Sequence, residues 1–257
     1  MPRFYCPAPL QTGMVLDLPP GPARHVQVLR MQPGQTISLF NHGPGWDWGL
    51  QALPPAGEFE AEILLMGRSQ VQVRVGAHSA RECEAARSVS IAVVMPANER
   101  MDWLVEKATE LGAAPIYPLT SERSVVRLNA ERAEKKIAHW QSVVISACEQ
   151  CGANRVPLMH PVQSLPHFLR DGLQPLGVDA VQAPARLLLS LQAGSMPLRA
   201  WSGMGSSQPV VFLSGPEGGF SPAEEALAME AGFTPQSLGA RILRAETAAL
   251  AALALLV

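Results

Sequence analysis

One short segment, residues 210–225, constrains the fold of this chain more than any other part of the sequence. It begins with an apolar run that ends at Leu213 and is typical of a strand buried on both faces. A glycine-rich loop, Gly215–Gly219, follows at once. The next four residues, Ser221-Pro-Ala-Glu224, combine a capping box with a proline at the first helical position. The segment therefore predicts a strand, a tight loop and a helix whose N-terminal amides point back toward the loop.

Taken alone, this loop has two interpretations. Backbone amides at a helix N-terminus can bind an anion, or the loop can be a tight strand-to-helix turn without a ligand. The sequence contains neither the Gly-Lys-Ser/Thr of a phosphate-binding loop nor the Gly-x-Gly-x-x-Gly of a dinucleotide site at this position. The loop by itself thus leaves both readings open.

A second loop, residues 237–247, favours a pocket. Its charged residues directly precede an apolar helix predicted from Ala248, with Thr247 as the predicted cap. Charges placed where a chain enters an apolar region often mark a site, although two of these residues can also form a simple ion pair. The charged residues of this loop are Arg241, Arg244 and Glu246.

The pattern along the chain predicts two domains. Residues 1–76 contain short alternating segments separated by Gly/Pro turns, which predict a small β-barrel, and residues 43–57 are predicted to form a long hairpin loop. A polar stretch then leads into residues 88–257, where apolar strands alternate with amphipathic helices, which is typical of a mainly parallel α/β sheet. The strands are predicted at 88–95, 114–119, 186–191 and 209–213, the helices after caps at Asn98 and Asn129, and an irregular region at 162–185.

Composition supports a folded protein but does not indicate its partner. Hydrophobic residues make up 47% of the chain, and 20 basic against 22 acidic residues give a formal charge of −2. Net charge therefore gives no support to nucleic-acid binding, and any such surface has to be a local cluster. The N-terminus lacks the apolar run of a signal peptide, and the longest apolar run has ten residues, about half a membrane span. We expect a cytoplasmic protein that does not contact a membrane.

No metal site is predicted. Cys148-x-x-Cys151 invites a metal or redox interpretation, but no second pair accompanies it, and Cys148 continues the apolar stripe of a predicted helix. The six histidines show no spacing typical of metal ligands. Structural cysteines are the favoured interpretation.

The two loops and several other motifs resemble the ribosomal RNA small subunit methyltransferase E family. The strongest similarity is in Leu213-Ser-Gly-Pro-Glu-Gly-Gly-Phe220 followed by Leu238-Gly-Ala-Arg-Ile-Leu-Arg-Ala-Glu-Thr-Ala248. Similar motifs extend from end to end of the chain, at Arg3-Phe-Tyr5, 24–31, 100–112, 120–126, 146–152 and Asn154-Arg155. The resemblance implies an α/β fold of the knotted SPOUT type, with a Rossmann-like parallel sheet and a C-terminal trefoil knot, preceded by a PUA-like RNA-binding β-barrel. It also implies a homodimer with the active sites at the subunit interface.

The activity that the resemblance implies is methylation of uridine N3 in 16S ribosomal RNA, free or in the small ribosomal subunit, with S-adenosylmethionine as the methyl donor. The N3 proton has to leave, so the reaction needs a base or a cation that stabilises the uridine anion. N3 lies on the Watson–Crick edge, hence the target base must be unpaired or flipped out. The candidate catalytic residues are Arg244 and Glu246, although Arg244 can instead bind a phosphate.

The remaining site residues follow from the same resemblance. A backbone-lined pocket suits the methyl donor, and the leucines around it can enclose an adenine. The predicted cofactor-binding residues are Leu189, Leu213, Gly215, Gly218, Leu238, Gly239 and Leu243. The predicted RNA-binding residues are Arg3, Arg24, Arg30, Arg123 and Arg155, with phosphate contact as the expected role.

Two other functions stay open. The chain can be a related knotted methyltransferase that acts on another RNA, such as a transfer RNA. It can also be a non-catalytic RNA-binding factor of ribosome assembly that keeps the fold. The intact Gly215–Gly219 loop, together with Arg244 and Glu246, favours the enzyme.

Overall fold

The computed structural model describes residues 1–43, 56–97, 99–171 and 183–257. The hairpin loop predicted at 43–57 lies almost wholly outside these residues, and so does the predicted helix cap Asn98. The described chain forms two compact units. The first contains Met1–Glu84 and Ile145–Val156, and the second contains Ala85–Val144 and Pro157–Val257.

The first unit is built on a five-stranded sheet with the order β1-β3-β4-β5-β2. Strands β1 and β3 are parallel and the other neighbours are antiparallel. Strand β4 buries alternate residues, and the pairing of β4 with β5 is interrupted by two register shifts, which bend the strands around the core. The elements are β1 (Arg3–Tyr5), β2 (Val15–Asp17), α1 (Pro20–Val28), β3 (Thr36–Phe40), β4 (Glu58–Met66) and β5 (Val71–Ser79).

The second unit is built on a seven-stranded sheet with the order β10-β12-β9-β11-β6-β7-β8, in which every pair of neighbours is parallel. This confirms the predicted parallel α/β sheet. The strands are β6 (Val89–Val94), β7 (Ile116–Thr120), β8 (Gln163–Ser164), β9 (Ala185–Leu189), β10 (Met196–Pro197), β11 (Val210–Ser214) and β12 (Thr234–Ser237). The helices after residue 84 are α2 (Arg100–Glu110), α3 (Ala130–Cys151), α4 (Leu165–Asp171), α5 (Pro222–Glu230) and α6 (Ala245–Leu256), with a short 3-10 helix at Leu198–Ala200. The residues of α3 from Ile145 onward belong to the first unit.

Several local predictions from the sequence are confirmed. The Asn129 side chain caps α3 by accepting a hydrogen bond from the backbone N–H of Arg132 at 2.9 Å. The capping box at the start of α5 is present, with the Ser221 hydroxyl bound to the N–H of Glu224 and the Glu224 carboxylate bound to the N–H of Ser221. Strands β6 and β11 are buried along their whole length, as their continuous apolar sequence predicts.

Two predictions about helices are wrong. The segment predicted to be irregular, 162–185, contains α4, whose Phe168 and Leu165 are fully buried in the core. Helix α6 begins at Ala245 with Arg244 at the N-cap position, so Thr247 lies inside the helix and is not its cap. The Arg244 side chain makes no capping hydrogen bond. Arginine is not a typical N-cap residue whereas threonine is, so the sequence pattern indicated Thr247 instead.

Helix α6 packs one face against α2, β6 and β11. On that face Ala249, Ala252 and Leu253 are completely buried. From Ala248 to Leu256 the helix carries only apolar side chains, yet Leu250 and Leu255 are only half-buried. Among the residues that the structure describes, no helix is long and apolar enough to cross a membrane.

Candidate active site

A pocket of about 630 Å³ opens at one edge of the seven-stranded sheet, in the second unit. Strands β9, β11 and β12 are parallel, so their carboxyl ends meet at the same edge. The segments that leave these strands line the pocket: Ser190–Gln192 after β9, Ser214–Phe220 after β11, and Leu238–Arg244 leading into α6. A volume of this size is typical of sites for small molecules and cofactors.

The glycine loop, Gly215–Gly219, forms one wall of this pocket. A turn closes it, with the N–H of Gly219 donating to the carbonyl of Pro216 at 2.9 Å. Gly219 has a φ of +67°, in the left-handed region that favours glycine. Gly215 is needed for another reason, because a Cβ there would lie 3.2 Å from the ring of Phe220.

Neighbouring segments hold the glycine loop by hydrogen bonds. The Glu217 carboxylate accepts from the backbone N–H of Ala97 at 3.1 Å and from Nη1 of Arg100 at 3.4 Å. Nη1 of Arg123 donates to the carbonyl of Gly218 at 2.9 Å. Ala97 follows β6 and Arg123 follows β7, so the ends of two adjacent strands support the loop from outside.

The floor of the pocket carries buried polar groups. Glu225 is 8% exposed, and both of its carboxylate oxygens accept from the Ser190 hydroxyl, at 3.2 and 3.3 Å. Burial raises the pKa of Glu225, and the hydrogen bonds of Ser190 and Gln192 lower it by less. Gln236 is 2% exposed, and its Oε1 has no hydrogen-bond partner within the described part of the chain.

Six of the seven predicted cofactor-binding residues line the pocket. These are Leu189, Gly215, Gly218, Leu238, Gly239 and Leu243. The seventh, Leu213, is a residue of β11 whose side chain is fully buried in the core on one face of the sheet, in a cluster with Phe220 and Phe233. It is not one of the lining residues. The alternation of β11 explains this difference, because neighbouring residues of a strand point to opposite faces.

The two predicted catalytic residues lie at the start of α6 but differ in exposure. Arg244 is exposed and lines the pocket, and in the described part of the chain no ion pair involves its side chain. Glu246 is 6% exposed and is not one of the lining residues. Its Oε1 lies 3.9 Å from Nε of Arg100, and its Oε2 has no partner among the described residues. A carboxylate in the first helical turn is favoured by the helix dipole.

Four of the predicted RNA-binding arginines belong to the first unit and differ in their surroundings. Arg3 is enclosed: it pairs with Glu58 at 2.8 Å and donates to the Asn154 side chain at 2.9 Å. Arg24 and Arg30 are exposed, and Arg155 is exposed with its Nε 3.6 Å from Glu82. The fifth, Arg123, lies in the second unit, where it lines the pocket and holds the glycine loop.

Sequence reasoning missed Glu225, Gln236 and Arg100 as residues of this site. Two consecutive glutamates lie in the first turn of α5, and the capping box uses the first, so the second was an available signal. Gln236 lies in β12, a strand of four residues with no apolar alternation that would predict it. The burial of Gln236 depends on the pairing of β12 with β9, which the sequence does not indicate. Arg100 begins the motif at 100–112, but its contacts with Glu217 and Glu246 depend on the tertiary structure, which no local pattern indicates.

Within the described residues, the cysteines form no cluster with other ligand types. Cys148 is buried, Cys151 is half-buried, and both are free thiols. Burial raises the pKa of Cys148 well above its usual range, as is typical of a structural cysteine in apolar surroundings. The described residues contain no group of three His, Cys, Asp or Glu side chains that could hold a metal ion.

Comparisons with known proteins agree with this architecture. The family model described as an RNA methyltransferase domain matches residues 83–257. The ribosomal RNA small subunit methyltransferase E of Bacillus subtilis is 32% identical over 235 residues, which cover 89% of this chain and 83% of the relative. The protein of that name from Buchnera aphidicola is 29% identical and covers 98% of this chain.

Two solved structures are similar over almost the whole chain. The ribosomal RNA small subunit methyltransferase E of Neisseria gonorrhoeae, bound to S-adenosyl methionine, has a TM-score of 0.83 and 35% identity, over 99% of this chain and 96% of that one. A methyltransferase of Legionella pneumophila in complex with the cofactor SAM has a TM-score of 0.84 at the same identity and coverage. As its motifs predict, the chain therefore belongs to the ribosomal RNA small subunit methyltransferase E family.

Proposed function

We propose that the protein uses S-adenosylmethionine to methylate N3 of a uridine in 16S ribosomal RNA, as free RNA or in the small ribosomal subunit. The observation that carries this proposal is the pocket at the start of α6, where a glycine loop, apolar walls and an exposed arginine come together. The relatives named ribosomal RNA small subunit methyltransferase E, one of them bound to S-adenosyl methionine, support both the reaction and the cofactor.

The residues of the pocket fit this cofactor. Leu189, Leu238 and Leu243 provide apolar surface that suits an adenine ring. The Gln236 amide oxygen and the Glu225 carboxyl are buried acceptors that suit amino and hydroxyl donors. The lining contains both acidic and basic side chains, as a ligand with a sulfonium, an ammonium and a carboxylate requires. When bound, S-adenosylmethionine supplies an activated methyl group.

The roles of the protein follow from the electrostatics of the site. Arg244 has an exposed guanidinium at the pocket, and we assign it to the stabilisation of the negative charge that develops on the uridine as the N3 proton leaves. Glu246 has one carboxylate oxygen without a partner in the described residues, and we assign it to accepting that proton or orienting the group that does. Positioning of the uridine against the donor supplies the rest of the rate enhancement.

The same proposal includes the finer architecture. We propose that the first unit is a PUA-like domain for RNA, with a boundary near residues 76–88, and that exposed arginines such as Arg24, Arg30 and Arg155 contact phosphates. We propose a C-terminal trefoil knot and a homodimer. The apolar side chains that α6 leaves incompletely buried support the dimer, because a helix that is apolar on all sides from Ala248 onward needs cover on every side. A cytoplasmic location follows from a ribosomal RNA substrate.

The decisive test is methylation of defined RNA substrates by the purified protein. We expect N3-methyluridine, identified by mass spectrometry of nucleosides, in 16S ribosomal RNA or small subunits from a strain that lacks the gene. Arg244→Met should lower kcat by about 10²-fold, the usual effect of removing one electrostatic donor. Arg199→Met, on the exposed 3-10 helix, is the control for loss of a charge.

Other outcomes distinguish the alternatives. Methylation of transfer RNA with no product in 16S ribosomal RNA would assign the enzyme to another substrate. Tight RNA binding without calorimetric binding of S-adenosylhomocysteine would identify a non-catalytic assembly factor and overturn the proposal.

A further inference from the structure

We propose that Arg123 is a positioning residue for the cofactor, which acts by fixing the shape of the glycine loop and not by contacting an RNA phosphate. This inference rests on the proposed function, because it assigns the pocket to S-adenosylmethionine. It changes the role that the family resemblance implied for Arg123.

The contacts of Arg123 converge on the backbone of the loop. One nitrogen, Nη1, donates to the carbonyl of Gly218 at 2.9 Å and more weakly to the carbonyl of Phe220 at 3.4 Å. Because the peptide group is planar, a donor shared by these two carbonyls fixes the orientation of both peptide groups, including the N–H on the opposite edge of each. A charged donor makes a stronger hydrogen bond than a neutral one.

The segment that carries Arg123 is itself held in place by hydrogen bonds. The N–H of Ser121 donates to the hydroxyl of Ser124 at 2.7 Å, and the N–H of Ser124 donates back to the carbonyl of Ser121 at 3.2 Å. The N–H of Glu122 donates to the Glu224 carboxylate at 2.7 Å, and Glu224 is the capping-box residue of α5. The base of the arginine is therefore fixed to the helix that follows the glycine loop.

The glycine loop needs support of this kind. Gly218 and Gly219 are adjacent, and glycine loses more conformational freedom on ordering than any other residue. A Cβ built on Gly219 would meet no atom within 4 Å, so that side of the residue faces open space and offers no contact that would hold the loop. The Arg123 stem runs past the loop, with Cδ 3.7 Å from the position of a Cβ on Gly218. Hydrogen bonds from Arg123 thus replace the restraint that side chains would give.

The test compares Arg123→Met, which keeps the length of the stem and removes the donors, with Arg123→Lys, which keeps a charged donor. Calorimetry with S-adenosylhomocysteine should show a Kd about tenfold higher for Arg123→Met, the effect of losing one charge-assisted hydrogen bond. Arg123→Lys should recover most of the affinity. Arg199→Met is the matched control, and the melting temperature of each variant checks that the fold is intact.

RNA binding separates positioning from phosphate contact. We expect the KM for RNA, and the slope of log K for RNA against log salt concentration, to be the same in wild type and Arg123→Met. An unchanged Kd for S-adenosylhomocysteine, or a salt slope reduced by about 0.7 as for one lost phosphate contact, would overturn the inference. Failure of the proposed function looks different, because then the wild-type protein itself would not bind S-adenosylhomocysteine.

Discussion

Nη1 of Arg87 donates a hydrogen bond to the carbonyl oxygen of Leu256 at 3.1 Å, across 169 positions of the chain. Nη2 of this guanidinium donates to the carbonyl oxygens of Gly203, Met204 and Ser206, and Nε also donates to that of Ser206. Arg87 is only 5% exposed, and burial lowers its pKa below the ordinary value. The last carbonyls of a helix have no partner within the helix, so Arg87 completes the end of α6 and ties it to the loop at 203–206.

Removal of this guanidinium should destabilise the second unit. We expect Arg87→Met to lower the free energy of unfolding by about 3 kcal/mol, because one buried and three partly buried carbonyl oxygens lose their charged donor. Arg87→Lys should fall between this variant and the wild type, since an ammonium cannot reach all four carbonyls in the geometry of a guanidinium. Chemical denaturation measures the effect, with Arg199→Met as the control. A loss below about 0.5 kcal/mol, the range of ordinary surface changes, would contradict the assignment.

Substitution of Glu225 should change stability and cofactor affinity in opposite directions. Burial raises its pKa in the folded state, so the stability it contributes is present below the ordinary value of 4.5 and is lost as the pH rises through the raised value. At neutral pH, Glu225→Gln should therefore melt at a higher temperature than the wild type. Its affinity for S-adenosylhomocysteine should fall by about tenfold if the carboxylate accepts a hydrogen bond from the ligand. Loss of both properties together would show that Glu225 is a structural residue.

The contribution of Asp102 to stability should depend on pH in the sense opposite to that of Glu225. Burial raises its pKa, but hydrogen bonds from the indole N–H of Trp140 at 2.7 Å and from His139 at 2.9 Å outweigh burial, and the net pKa is lowered. The stability it contributes is thus present above the ordinary value of 3.8 and is lost as the pH falls through the lowered value. Asp102→Asn should be less stable than the wild type at pH 7, and the difference in melting temperature should shrink toward pH 3. A difference that does not change with pH would rule out a contribution from the charge.

Gly219 and Gly218 form a matched pair for the glycine loop. Gly219 has a φ of +67° and open space around it, so Gly219→Ala should cost about 1 kcal/mol through the backbone alone. Gly219→Asn should cost less, because asparagine tolerates this conformation. Gly218→Ala, where a Cβ meets Arg123 only at ordinary contact distance, should leave the melting temperature unchanged. Equal losses for Gly218→Ala and Gly219→Ala would exclude backbone conformation as the cause.

The sequence predicts those elements whose signals are local. The capping box of α5, the Asn129 cap of α3 and the continuous apolar runs of β6 and β11 each lie within a few residues, and each is confirmed. Helix α1 was not predicted, because three prolines and a glycine lie at its start and this composition is typical of a loop. Proline is nevertheless tolerated in the first turn of a helix, where its missing N–H would have no partner within the helix.

The candidate site is less predictable because it depends on which strands become neighbours. The order β11-β6-β7 brings Ala97 and Arg123 to the glycine loop from positions far away in the sequence. Neither residue carries a local signal for this contact. The face on which Leu213 lies depends in the same way on the register of β11 with β6 and β9.

The support of the glycine loop by the ends of β6 and β7 has a consequence for protein engineering. A graft of residues 210–225 into another scaffold would carry the strand, the turn and the capped helix, but not the donors at Ala97 and Arg123 that hold the carboxylate of Glu217 and the carbonyl of Gly218. Such a chimera should keep its helix and lose the ordered loop. The transferable unit of the glycine loop is therefore the ends of the three strands β6, β7 and β11, and exchange between relatives has to move them as one block.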